Sequence, residues 1–451
     1  MATPTNSEPT TPTTDFELNE PGASFQVHES VPVHPPDRGA HAYAYLFASF
    51  IIELLAWSLP FSYGVFLNYY TDVLPEIPSS KLAVVGTLST GVMYLAYPVV
   101  LRATTLFPHR CRQFMAAGLA LCVAGLLGAA WSTKPWHFIM AQGLAYSIGG
   151  ALLSFPSVAF LFEWFPARRG LAMGILFSGT GIGGIVMPFA IDVLLRRLGQ
   201  RDTFLIITAT FAIAILPCFA FIKPRLPPLP ALRHERERLF DVSFLANGMF
   251  WPLFICSTLQ GLANFVPGIY LPSYSSDIGL SNAASALVAA LINGASVPGA
   301  ILIGWATDRY ALSGTIVFST AGAATAVFLL WGFARGLAQL AIFAIVYGFC
   351  AGGFSAMWPR FASAIAQDDH RLATTVYSLF GASRGIGNIL AGPISSALLH
   401  ARGGVSQSYG ARNYGPLILF TGATMLASAC GSLFGIFGPR GRVLSTRGSR
   451  P

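Results

Sequence analysis

Twelve stretches of about twenty mostly apolar residues follow one another along this chain, each long enough to cross a hydrocarbon layer roughly 30 Å thick. They are read at 43–67, 82–101, 113–131, 136–162, 169–193, 203–222, 248–270, 283–306, 312–333, 338–361, 372–399 and 414–437. Lipid offers the backbone no hydrogen-bond partner, so a chain there must close its own bonds as helices or as a sealed barrel. These runs are continuous and show no two-residue alternation, which selects helices. With 54% hydrophobic and only 10% charged residues, the chain is far from the roughly 25% charge of a soluble domain. The expected fold is all-α and membrane-integral, with twelve transmembrane helices in two six-helix halves.

The segments between and around the helices complete the plan. Residues 1–40 are rich in Thr, Pro, Ser and Glu without an apolar core, which reads as a disordered tail. The first half is expected at 41–222, a basic central loop at 223–247, the second half at 248–437 and a basic tail at 438–451. About two-thirds of the 27 Lys and Arg fall on the side that would carry both termini and the central loop. That bias is the positive-inside signal, so both termini are expected in the cytoplasm of a multi-pass protein of the cell membrane. The basic charge is thereby a topology signal and implies no nucleic-acid partner. The six cysteines show no C-x-x-C spacing and read as small packing residues. No metal and no cofactor is expected.

Two glycine clusters test that last expectation. GASRGIG (Gly381–Gly387) looks like a dinucleotide-binding turn, and GTGIGG (Gly179–Gly184) satisfies G-x-G-x-x-G. A nucleotide site needs a strand before the glycines and a helix after them. Here each cluster sits inside one membrane-length run. None of the three lysines, Lys81, Lys134 and Lys223, forms a Tyr-x-x-x-Lys pair or a Gly-Lys-Ser/Thr loop. Laid side by side, RGLAMGILFSGTGIGGIVMP from Arg169 and RLATTVYSLFGASRGIGNILAGP from Arg371 share an entrance Arg, Leu-Ala, a central Gly-x-Gly and a later Pro. Helices 5 and 11 are one element repeated in two halves. Their glycines, Gly174, Gly183, Gly385 and Gly387 among them, read as packing surfaces that let helices approach closely.

These features resemble the major facilitator superfamily. GWATDR (Gly304–Arg309), with Asp308 and Arg309, matches its G-x-x-x-D-R loop motif, whereas the partner loop after Tyr97-Pro98 reads VVLRATTLFPHRCR and has no aspartate. EWFPARRGLAMGI (Glu163–Ile175), with Arg168 and Arg169, resembles the helix 5 entrance of the monocarboxylate porter family. LPFSYGVFLNYY (Leu59–Tyr70) resembles the end of that family's helix 1, and RGIGNILAGPIS (Arg384–Ser395) its fungal branch. The resemblance implies a secondary transporter working by alternating access, without covalent chemistry. It departs from lactate-type carriers at two places. Phe61 stands where they have a helix 1 lysine, and Asn293 is the one strongly polar side chain of helix 8 before Asp308.

Charge inside the membrane is costly, roughly 2.5–3.5 kcal/mol on insertion scales, and marks candidate function. Glu53 and Arg384 are the two such groups. Glu53 reads as a proton carrier or as a packing carboxyl. Arg384 reads as an anchor for an organic anion, or as a guanidinium serving backbone carbonyls near Pro393; the two could also pair. Softer candidates on helices 1, 4, 7, 10 and 11 are Tyr63, Gln142, Tyr146, Gln260, Asn264, Tyr347, Trp358 and Asn388. The expected activity is export of an organic acid or fungal secondary metabolite. The competing readings are a proton-coupled importer of a small monocarboxylate or vitamin-like solute, and a receptor on a carrier scaffold.

Overall fold

The structure, a computed structural model, describes residues 37–77, 79–225, 243–367, 369–400, 409–411 and 413–434. The two tails and most of the central loop therefore lie outside the described residues. Within them the chain is helical and has no strand. Ten spans are long and apolar enough to cross a membrane. In chain order these include α1 (Ala40–Val73), α3 (Pro108–Ala130), α4 (Pro135–Trp164), α7 (Phe250–Asp277), α9 (Leu312–Trp331), α10 (Leu337–Ala366) and α12 (Gly415–Leu433). To them belong α2 (Ser79–Leu95, continued by Tyr97–Leu106) and α8 (Asn282–Arg309).

The remaining apolar span, Arg169–Ala220, has 52 residues, too many for one crossing. It holds α5 (169–198) and α6 (200–220), joined at Gly199, whose φ of 75° turns the chain without ending the hydrogen-bonded run. The polar RRLGQRD had been expected to be a loop. Its residues stay helical because a single glycine absorbs the whole turn. The helix α11 (His370–His400) is more polar and stands outside the ten, yet is long enough to cross. The expected helices 2 and 7 both run further, to Leu106 and Asp277. The polar last turns of α7 are held by Tyr274, which packs on Trp331 and donates to the Ala334 carbonyl at 2.9 Å.

Two helices organise the bundle. α5 packs against α1 and α8, while α11 packs against α7 and α2. Each thus touches a helix of its own half and one of the other. The glycine clusters make both contacts, on different faces. A Cβ at Gly183 would stand 2.8 Å from the Leu54 carbonyl on α1, and one at Gly387 2.6 Å from the Leu262 nitrogen on α7. On the opposite faces Gly174 lies against Ala300 of α8, and a Cβ at Gly385 would stand 2.7 Å from the Cβ of Tyr94 on α2. Apolar burial does not drive helices together in lipid, so close backbone approach supplies the contact instead. Two helices carry an extra residue in one turn: Ile139–Ala145 of α4 and Ala326–Trp331 of α9 are π-helical.

Candidate functional site

Arg384 sits on α11 with 5% of its surface exposed. Its Nη1 donates to Gln260 Oε1 on α7 at 2.6 Å. Gln260 is itself fixed, because its amide nitrogen donates to Asn264 Oδ1 at 3.1 Å and to the Ala351 carbonyl of α10 at 3.3 Å. Three rings surround the guanidinium: Phe265 at 5.2 Å, and Tyr94 and Trp358 each at 5.9 Å to the ring centroid. The ring faces favour the cation and keep water away from it. Arg384 Nε remains without a hydrogen-bond partner. The carbonyls near Pro393 are not what holds this arginine.

Glu53 of α1 is fully buried, and neither carboxyl oxygen has a hydrogen-bond partner, although Ser154 of α4 and Trp57 stand beside them. It forms no ion pair with Arg384. Tyr94 stands between their surroundings, its ring 5.9 Å from the Arg384 guanidinium and 4.6 Å from Trp57. Tyr97 stacks on Tyr94 and lies 6.0 Å from Tyr377. The result is a closed centre with one acid, one base and a wall of aromatic rings between the two halves. A burial of this kind without compensation costs several kcal/mol.

The softer candidates separate into two groups. Gln260, Asn264 and Trp358 join the Arg384 cluster. Tyr63, Gln142 and Tyr146 gather inside the first half around a void of about 20 Å³, too small for a metabolite. There Tyr63 donates to the Leu82 carbonyl at 2.6 Å, and Gln142 to the Tyr70 hydroxyl. Tyr146 donates to the carbonyls of Leu55 and Ala56, and Tyr347 to those of Ala263 and Asn264. Asn293 and Asn388 hold the halves together. Asn293 Nδ2 donates to the Gly184 carbonyl at 3.2 Å, the group that Pro188 leaves without its helical donor. Asn388 Nδ2 donates to Thr90 Oγ1 on α2 at 2.8 Å.

The motif residues meet where α5 begins. Asp308 Oδ1 and Oδ2 accept the backbone N–H groups of Gly170 and Leu171, both at 2.9 Å. Asp37 accepts those of Ala167 and Arg168 at 3.1 and 3.2 Å. Three of the four donors that the helix start leaves open, and the Ala167 N–H just before it, are thereby closed by two carboxylates, where the helix dipole is most positive. Arg169 reaches across the halves, donating to Ser363 Oγ at 2.9 Å. The Arg168 side chain is exposed, and Arg309 lies over the Trp305 ring at 5.2 Å. Sequence reading missed Tyr94, Tyr97, Phe265 and Tyr377, whose only signal was the doublet Tyr94 and Tyr97 before Pro98.

Repeated helical halves around a buried, charged and closed centre define a membrane carrier of small molecules. The chain belongs to the Major Facilitator Superfamily, whose model matches residues 44–392 and 253–443. It is 27% identical over 434 residues to the MFS-type transporter hasB of Aspergillus fumigatus, covering 90% of this chain and 92% of that one. It is 25% identical over 408 residues to the MFS transporter asaE of Aspergillus flavus, covering 88% and 87%. To the aspyridones efflux protein apdF of Emericella nidulans it is 24% identical over 379 residues, covering 82% and 74%. The protein is a multi-pass membrane transporter.

Proposed function

We propose that this protein exports an organic anion, of the secondary-metabolite kind, by alternating access of its two halves, 41–222 and 248–437. The observation that carries this reading is Arg384, a guanidinium fixed by Gln260 and walled by Tyr94, Phe265 and Trp358 at the junction of the halves. A guanidinium fork takes a carboxylate or enolate through two parallel hydrogen bonds, and the rings suit a conjugated body attached to it. The efflux protein among the relatives supports the outward direction. The helix 5 entrance, EWFPARRGLAMGI, supports a place in the monocarboxylate porter family, fungal branch. The Lys and Arg bias supports a cell-membrane protein with the α5 start, the central loop and both termini in the cytoplasm. Glu53 is the proposed proton site, since its carboxyl is fully buried within a membrane span and neither oxygen has a hydrogen-bond partner.

The test is uptake into inside-out vesicles of aromatic carboxylates and of their neutral amides. Arg384→Lys should lower carboxylate transport about tenfold at unchanged abundance, because lysine keeps the charge and loses the fork. Arg384→Gln should nearly abolish it, and the amides should change little. Glu53→Gln should remove the dependence on a pH gradient while leaving exchange intact. Equal losses for carboxylate and amide would reject the anion anchor, and an unchanged pH response would return Glu53 to packing.

A further inference from the structure

Proline has no N–H, so inside a helix it strands the carbonyl four residues earlier. In lipid that carbonyl needs another donor. Pro60 in α1 strands Ala56, and Pro267 in α7 strands Ala263. Both carbonyls are met by a tyrosine hydroxyl from the helix that lies in the same place in each half. Tyr146 of α4 donates to Ala56 at 3.1 Å and Tyr347 of α10 to Ala263 at 3.2 Å. The two tyrosines are 2% and 1% exposed.

What stands one turn before each stranded carbonyl gives the arrangement its meaning. Glu53 precedes Ala56 by three positions, and Gln260 precedes Ala263 by three. Each proline therefore frees a carbonyl within one turn of a polar residue of the central site, and each tyrosine ties the helix down at that carbonyl. We infer that Tyr146 and Tyr347 are positioning residues: Tyr146 sets the depth and rotation of Glu53, and Tyr347 sets those of Gln260 and through it Arg384. Both act through the backbone carbonyl they hold. The inference rests on the proposed roles of Glu53 and Arg384 for its functional meaning, while the geometry it asserts is independent of what is transported.

Chemical labelling tests it without a known substrate. Purified full-length protein in nanodiscs is treated with phenylglyoxal, and modification of Arg384 is followed by peptide mass spectrometry. A hydrophobic carbodiimide reports Glu53 in the same way. Tyr347→Phe, which removes only the hydroxyl, should raise the Arg384 labelling rate about fivefold, the size expected for one lost hydrogen bond, and leave Glu53 unchanged. Tyr146→Phe should do the reverse. Restoring the missing donor should cancel each effect: Tyr347→Phe on a Pro267→Ala background, and Tyr146→Phe on Pro60→Ala, should label like the proline variant alone. As a control that needs no proline change, Phe343→Leu loosens the ring packed 5.3 Å from Tyr347 and should leave Arg384 labelling as it was. Labelling that does not change in the tyrosine variants, changes at both sites together, or follows Phe343→Leu equally would overturn the inference. If labelling behaves as stated while Arg384→Lys transports anions normally, the positioning stands and the anion reading falls.

Discussion

The halves meet along two seams, α5 with α8 and α11 with α2, and the seams are built differently. Along α5 and α8 backbone touches backbone: Gly170 lies on Gly304, and Gly174 on Ala300. There Asp308 crosses from one half to the start of the other half's helix. Along α11 and α2 the nearest neighbours are side-chain atoms instead, the Tyr97 ring at Gly381 and the Tyr94 Cβ at Gly385. The start of α11 is capped by its own Asp369, which accepts the Leu372 N–H at 3.0 Å. Set against each other on their shared Ala-Thr, LRATTL (101–106) has Thr105 where GWATDR (304–309) has Asp308, and Leu101 where it has Gly304. One seam is a close, charge-fixed joint. The other is padded with side chains, of which Tyr94 also lines the Arg384 site.

The largest break in this contrast should come from filling the close seam. Gly174→Leu drives a side chain into the α8 backbone, and overpacking of this kind costs about 1–3 kcal/mol or more. Transport is expected to fall at least about tenfold at equal surface abundance. Gly381→Leu meets the Tyr97 side chain rather than backbone, so its loss should be several-fold smaller. Transport assays on both variants decide, and equal losses would mean that the seams do not differ in rigidity.

A smaller effect is expected from charge. Asp308→Asn removes the full negative charge from the α5 start, worth about 1–2 kcal/mol at a partly buried helix terminus. Opening of that face should become roughly 5–30-fold more frequent. The readout is thiol labelling of a cysteine at Met173, a side chain that Tyr377 of the other half contacts, in a chain cleared of its six native cysteines. Asp369→Asn should hardly change that rate, because its carboxylate serves its own helix.

The smallest and sharpest change is an addition. Thr105→Asp would give the padded seam the carboxylate it lacks. A few-fold slower opening in the same labelling assay is expected, with the Asp308→Asn defect partly offset in the double variant. No slowing would show that the α2 end does not reach the α11 start as the α8 end reaches α5.

The features that sequence reveals here are those that lipid enforces residue by residue. Long apolar runs, glycines repeated at the same place in two halves, and two charges stranded in such runs all stand out against a hydrocarbon background. Glu53 and Arg384 were legible for that reason. Their surroundings were not. Aromatic residues make up 13% of the chain, so nothing marks Tyr94, Phe265 and Trp358 as the three whose faces converge. The tyrosine partners of Ala56 and Ala263 were equally hidden, since a stranded carbonyl is visible from its proline but its rescuer comes from another helix. The α5–α6 joint escaped notice because polar residues ordinarily mean a loop, and a single glycine did the turning.

The π-helical turn of α4 bears on how this chain should be lined up with its relatives. Such a turn carries one residue more than the α-helical turn it replaces. Residues before Ile139 are thereby rotated by about 100° from where an unbroken α-helix ending at the same Tyr146 would put them. A relative without the bulge is one residue shorter between Pro135 and Tyr146 and still presents the same tyrosine to α1. An ungapped comparison of the two would shift every earlier residue of the helix onto the wrong face. Descent by insertion or deletion of a single codon within 139–145 could therefore reset the entrance to α4, the turn around Lys134 and His137, while leaving the staple at its far side in register.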